Sequence, residues 1–196
     1  MVLLVAAMAC TGCIGSALES KRDHPEVFRL TAPPLPDAGG ALPSVLAVGR
    51  PRAPLSLDTE RIAVAGPQTR FDYYVGVRWA EPAPLMLQSL LVQALAADGR
   101  FATVVAVPSR VPSEYVLEIE LRRFEAANDG SGAPVVHVGM QVTLLNGKGA
   151  RLASFPAEAS VTAAADRREA VMAAFDDATR QVIGRIVAAT REAARA

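Results

Sequence analysis

From Tyr115 to Arg123 the chain alternates with a period of two: Tyr115, Leu117, Ile119 and Leu121 share one face, Glu118, Glu120 and Arg122 the other. This predicts a strand with one wet face. Phe124 breaks the alternation, so a bulge or a strand end is expected near Arg123. Val136, Val138, Met140, Val142 and Leu144 resume the period after a turn-rich loop from Asn128 to Pro134. Asn146-Gly147-Lys148-Gly149 then reverses the chain into a strand containing Phe155 and Val161. The three segments predict a meander.

Two stretches carry a helical period instead. Leu87, Leu90, Leu91, Ala94 and Leu95 recur at intervals of three and four; Trp79-Ala80-Glu81-Pro82 puts a proline in the first turn, and Asp98-Gly99 stops the helix. From about Asp166, Val171, Phe175, Ala178, Val182, Ile186 and Ala189 form one apolar stripe along a long second helix. Shorter strands are predicted at Val27 to Leu30, Val45 to Val48 and Phe101 to Val107. Ile62 to Val64 and Phe71 to Val75 form a hairpin across Gly66-Pro67. The order strands, helix, strands, helix predicts an α+β single domain, a mostly antiparallel sheet with two main helices packed on one face.

The N-terminus reads as an address. Val2 to Ala9 is uninterruptedly apolar but far shorter than the roughly 20 residues that span a bilayer, so it is a signal-peptide core. Cys10-Thr11-Gly12-Cys13 resembles a lipobox, which makes residues 1–12 a signal peptide and Cys13 the acylated N-terminus; cleavage before Cys10, after Ala-Met-Ala, is the poorer alternative. Acyl chains on Cys13 would anchor the protein durably, at about 0.8 kcal/mol per buried CH₂. Ile14 is not the Asp that retains lipoproteins in the inner membrane, so the expected location is the outer membrane, with the domain in the periplasm. Residues 13–43 then form the lipidated cysteine and tether, including a short strand and a Pro-rich connector, and residues 44–196 the folded domain.

Composition narrows the function. The 196 residues are 51% apolar and 20% charged with a formal net charge of +0, which is globular and gives no field to attract nucleic acid. Cys10-x-x-Cys13 could be a redox or metal motif only in a folded context that the leader does not offer. No metal, cofactor or catalytic constellation is predicted, and the chain is read as a non-enzyme: His24 lies in the tether and His137 mid-strand, opposite Val136 and Val138, with no partner for acid–base work. Tyr73, Tyr74, Arg78 and Trp79 are the candidate partner-binding residues, because Tyr, Arg and Trp dominate interface energetics. For Trp79, a place in the core competes with that role.

An ordered set of motifs then appears between Val45 and Val187: Leu57-Asp58, Tyr73-Tyr74, Arg78-Trp79-Ala80-Glu81-Pro82, Leu95-Ala96 before Phe101, and Tyr115-Val116-Leu117-Glu118 running to Arg123-Phe124-Glu125. Behind a lipobox, this set resembles the ABC-type transport auxiliary lipoprotein family, whose members accompany Mce-type lipid transporters at the outer membrane. Phe28-Arg29-Leu30 is a degraded form of the family's Tyr-rich opening strand. The resemblance implies a component that docks a periplasm-bridging Mce-domain protein, working with an ABC permease and ATPase, with phospholipid as cargo and a homo-oligomer as a further expectation. Two other readings stay open: a periplasmic lipoprotein that binds a lipid or other hydrophobic ligand, and an envelope assembly lipoprotein.

Overall fold

The computed structural model describes residues 24–35, 40, 42–128, 130 and 132–194. Cys10, Cys13 and the signal peptide lie outside the described residues.

The meander forms as the alternation requires. β7 (Tyr115–Ala127), β8 (Val135–Asn146) and β9 (Arg151–Thr162) pair antiparallel in sequence order. Leu117, Ile119 and Leu121 are buried and Glu118, Glu120 and Arg122 exposed. The register shifts between Leu121 and Arg123, which is the expected bulge: one extra residue turns Phe124 inward, and the strand runs on to Ala127.

The other edge of β7 is shared. β2 (Leu42–Val48) pairs with its first residues and β3 (Ala63–Ala65) with its last, both parallel, and Arg52 bridges to Glu120 between them. β3 turns back antiparallel into β4 (Phe71–Tyr73), the predicted hairpin, and β6 (Phe101–Ala106) lies parallel outside β2. The fold is the expected α+β single domain, with a seven-stranded sheet whose long strands are antiparallel and whose short flanking strands add parallel pairs. The short connection forces the antiparallel direction only for β3 and β4; the parallel pairs join β2 to β6 and β7, and β3 to β7, across long stretches of chain.

Two helices cover one face. α1 (Ala83–Ala97) packs on β2 and β6, and α2 (Arg168–Ala193) on β8 and β9. α1 is apolar on nearly every side, and its one buried polar side chain, Gln88, donates from Nε2 to the carbonyls of Val48 and Val107, both at 2.9 Å. That amide clamps the point where β2 and β6 part. α2 has Glu169 in its first turn and Arg191 in its last, charges that complement the helix dipole.

One expectation is overturned: Trp79 does not open α1. It closes a strand, β5 (Val77–Trp79), which pairs parallel with β1 (Glu26–Phe28) in a separate two-stranded sheet, and α1 begins four residues later, with Pro82 at its N-cap. Three residues whose partner among the described strands lies some fifty positions away leave no local signal to read.

The segment after β1 is stitched to the helices. Leu30 is buried, Ala32 and Leu35 pack against the core, and Thr31 gives both its backbone N–H (2.7 Å) and its hydroxyl (2.9 Å) to the Asp176 carboxylate on α2. Arg168 pairs with Glu26 at 3.2 Å. The division expected after residue 43 therefore falls inside β2, and part of the segment read as tether and connector contributes to the core.

Candidate partner-binding surface

The turn and hairpin between residues 55 and 79 bring two of the four sequence-predicted residues, Tyr73 and Arg78, to a charged pair of neighbours, Glu60-Arg61. Arg78 Nη1 donates to Glu60 Oε2 at 2.7 Å, and the Arg61 guanidinium sits 3.7 Å above the centre of the Tyr73 ring. Phe71 meets the same ring edge-on at 5.5 Å, and the Tyr73 hydroxyl donates to the Ser56 carbonyl at 3.1 Å. A cation over an aromatic face and an aromatic edge against it hold Tyr73 in one pose.

Tyr74 follows immediately but belongs to another environment. Its N–H donates to the Ile62 carbonyl at 2.9 Å, and its buried hydroxyl has no hydrogen-bond partner among the described residues. Burial raises its pKa, and the nearby Asp166 charge adds to the rise. Trp79 is 0% exposed, tilted against Phe124 and edge-on to Phe175, so any part it takes in partner binding runs through the packing beneath Arg78.

Three apolar side chains stand out around this cluster: Leu55 and Val75 are each 89% exposed and Phe71 43%. A cleft of about 310 Å³ lies between the hairpin and Val75, lined by Arg70, Asp72, Tyr73 and Tyr74. Arginine and tyrosine ringed by protruding apolar side chains have the composition of an interface hot spot. Sequence reasoning found Tyr73 and Arg78 here but missed Arg61, Leu55 and Val75; Val75 sits at the tip of a turn through Gly76, which has a positive φ of 73°.

A second cleft, of about 620 Å³, runs between residues 29–32 and α1; Leu30, Ala32, Met86 and Leu90 give it an apolar lining and Arg29 and Glu81 a polar one. It opens to solvent.

No group of three His, Cys, Asp or Glu side chains among the described residues is placed to hold a metal ion. His137 lies on the helix-free face as expected, with Nδ1 2.8 Å from the Ser160 hydroxyl. Burial lowers its pKa, the Arg123 charge lowers it further, and Glu125 partly opposes them. Unfolded chains therefore bind this proton more readily than the fold does. Stability present above the ordinary histidine value of about 6.5 is lost as pH falls through the folded pKa. Urea denaturation at about pH 7.5 and about pH 5 should show a smaller acid loss for His137→Gln than for the wild type. Equal losses would remove His137 from the acid response.

Comparison with known proteins follows the fold. The family described as the ABC-type transport auxiliary lipoprotein component matches residues 28–187. The crystal structure of protein XCC0632 from Xanthomonas campestris superposes with a TM-score of 0.79 at 27% identity, covering 86% of this chain and 96% of that one. An uncharacterized protein of known structure follows at TM-score 0.63 and 16% identity, over 85% of this chain and 98% of that one. The hypothetical protein CT253 from Chlamydia trachomatis has a TM-score of 0.50 at 10% identity, over 74% and 96%; these last two show the fold alone. No curated protein matches the chain. The match begins at Phe28, so it takes in the stitched segment after β1 as well as the domain proper. No helix among the described residues is long and apolar enough to cross a membrane.

Proposed function

Since the chain belongs to the ABC-type transport auxiliary lipoprotein family, we propose that it is a non-catalytic lipoprotein of the outer membrane, anchored through Cys13, that docks the periplasm-bridging Mce-domain protein of a lipid transporter. Its partners in that system are the Mce protein and, through it, the ABC permease and ATPase; phospholipid is the cargo.

The observation that carries the docking role is the surface around Tyr73. Leu55, Phe71 and Val75 expose apolar side chains beside a fixed Tyr73–Arg61 pair and the Arg78–Glu60 ion pair. Exposed apolar groups cost solubility unless something covers them, and a rigid aromatic–arginine centre gives a partner a preorganised anchor.

The test is affinity capture of the detergent-solubilised lipoprotein, with mass spectrometry of co-purifying proteins and lipids, for the wild type, Cys13→Ala and Val75→Asp. An Mce-domain protein should accompany the wild type and be lost with Val75→Asp, while Cys13→Ala should lose acylation and leave the membrane fraction. Acylation that persists in Cys13→Ala would move the anchor to Cys10. Bound lipid without an Mce partner would favour a second reading, a periplasmic lipid-binding lipoprotein, for which the 620 Å³ cleft beside α1 is the supporting feature.

A further inference from the structure

The seven-stranded sheet ends in three edge strands, β4, β6 and β9, and two of them carry the features that keep an edge from recruiting foreign strands. β9 has Pro156 at its middle with Arg151 and Glu158 on either side, and β4 has Asp72 with Arg70 just before it. β6 has neither within the strand; Arg100 just before it is turned to the Gly40 and Ala194 carbonyls, and Pro108 comes only after its last paired residue. From Phe101 to Val107 there is no charge and no proline, and Val107 is itself exposed.

The geometry also says which groups this edge offers. Val107 N–H donates to the Val48 carbonyl at 2.9 Å, and Val48 pairs with Ala106. In a parallel ladder that arrangement turns Val105 and Val107 toward β2. The N–H and C=O groups of Val104 and Ala106 then point out of the sheet, and β6 pairs with β2 alone among the described strands.

Where β6 ends, a separate cleft opens. Gln88 pins Val48 and Val107, the chain diverges through Gly49 on one side and Pro108 on the other, and a hollow of about 420 Å³ is left, with Val107, Pro108 and Val116 on its walls. Arg50, Arg52 and Glu118 stand at the same hollow. Arg50 is held by Asp58 at 2.6 Å, but the Arg52 guanidinium has no ion-pair or hydrogen-bond partner among the described residues. Its backbone is locked into the ladder, donating to the Ile119 carbonyl and accepting from Leu121 N–H, so the charge is presented from a fixed base.

We infer that the β6 edge is a strand-addition site for an extended segment of a partner protein, which pairs with Val104 and Ala106, seats an apolar side chain in the Val107–Pro108–Val116 hollow and sets a carboxylate against Arg52. Main-chain bonds supply the affinity in this mode and the hollow supplies the selectivity. The site is distinct from the Tyr73 surface, and it holds whether or not that surface docks an Mce protein.

The probe is a fluorescent seven-residue peptide of alternating valine and threonine ending in aspartate with a free carboxylate, titrated by anisotropy against the full-length lipoprotein in detergent. Ala106→Pro removes one outward N–H and no bond to β2, so it should weaken binding by about tenfold with the thermal midpoint little changed. Arg52→Gln should weaken it several-fold and abolish the preference for this peptide over its amidated, asparagine-ended counterpart. Should Ala106→Pro not fold, the peptide N-methylated at alternate residues makes the same test on the wild type, where it should bind at least tenfold more weakly. Amide exchange at Val104 and Ala106 should slow when the peptide is bound. Equal binding by all variants and peptides, or slowed exchange at these amides on raising protein concentration without peptide, would overturn the inference; the second result would give the edge to another copy of this chain. Displacement of the peptide by phosphatidylglycerol vesicles but not by excess unlabelled peptide would overturn it in favour of a lipid surface.

Discussion

Trp79→Ala should destabilise the protein by about 3–5 kcal/mol, the range for truncating a fully buried large aromatic. Its ring centre lies 5.5 Å from that of Phe124 and 5.2 Å from that of Phe175, and those two are 5.2 Å apart. Phe124 comes from the bulged strand β7, Phe175 from α2 and Trp79 from the small β1–β5 sheet, so the trio packs three elements together. Removing the indole therefore empties a junction that no single element can collapse to fill. The Trp79 Nε1 has no hydrogen-bond partner among the described residues, so Trp79→Phe forfeits volume but no polar contact and should cost less than half as much. Urea denaturation followed by far-ultraviolet circular dichroism distinguishes the two. A loss below about 1 kcal/mol for the alanine variant would mean that the trio is not the centre of the core.

Arg191→Ala is expected to cost about 3 kcal/mol for a different reason. Asp98 follows the last residue of α1 with its side chain only 2% exposed, at a helix end whose dipole disfavours a negative charge. Arg191, in the last turn of α2, donates to both carboxylate oxygens, from Nη2 to Oδ1 and from Nε to Oδ2. Cutting the guanidinium away strands a buried carboxylate, and breaking such a pair costs more than the pair contributes when intact. The double variant Asp98→Leu/Arg191→Met should consequently be closer to wild type than Arg191→Ala alone. A double-mutant cycle by chemical denaturation measures the coupling. Simple additivity of the two single changes would show that the carboxylate is not sustained by Arg191.

Both sites show where sequence reading succeeds and where it stops. Leu117, Ile119 and Leu121 at every second position, then Phe124 three further on, contained both the strand and its bulge, because a local period records which face is buried. α2 was legible for the same reason, through Val171, Phe175, Ala178 and Val182. Trp79, β1 and β5 were not. Three-residue strands carry too few positions to show a period, and the partners of Trp79 sit 45 and 96 positions further along the chain. Gln88 sat inside an apolar helical stripe, and its role as a clamp depends on two carbonyls from different strands. In the candidate surface, Tyr73 and Arg78 drew attention by residue type alone. Arg61 gained meaning only once the hairpin placed it over the Tyr73 ring.

The stitching of residues 26–35 gives the proposed anchor a mechanical character. Glu26 is 13 positions from Cys13, so even a fully extended leash reaches no more than about 45 Å. Tension applied at the lipid arrives first at the β1–β5 pairs and the Arg168–Glu26 bridge, then at Leu30 and the Thr31–Asp176 bonds, before any strand of the main sheet bears load. A partner tugging from across the periplasm would strain this seam before it strained the core.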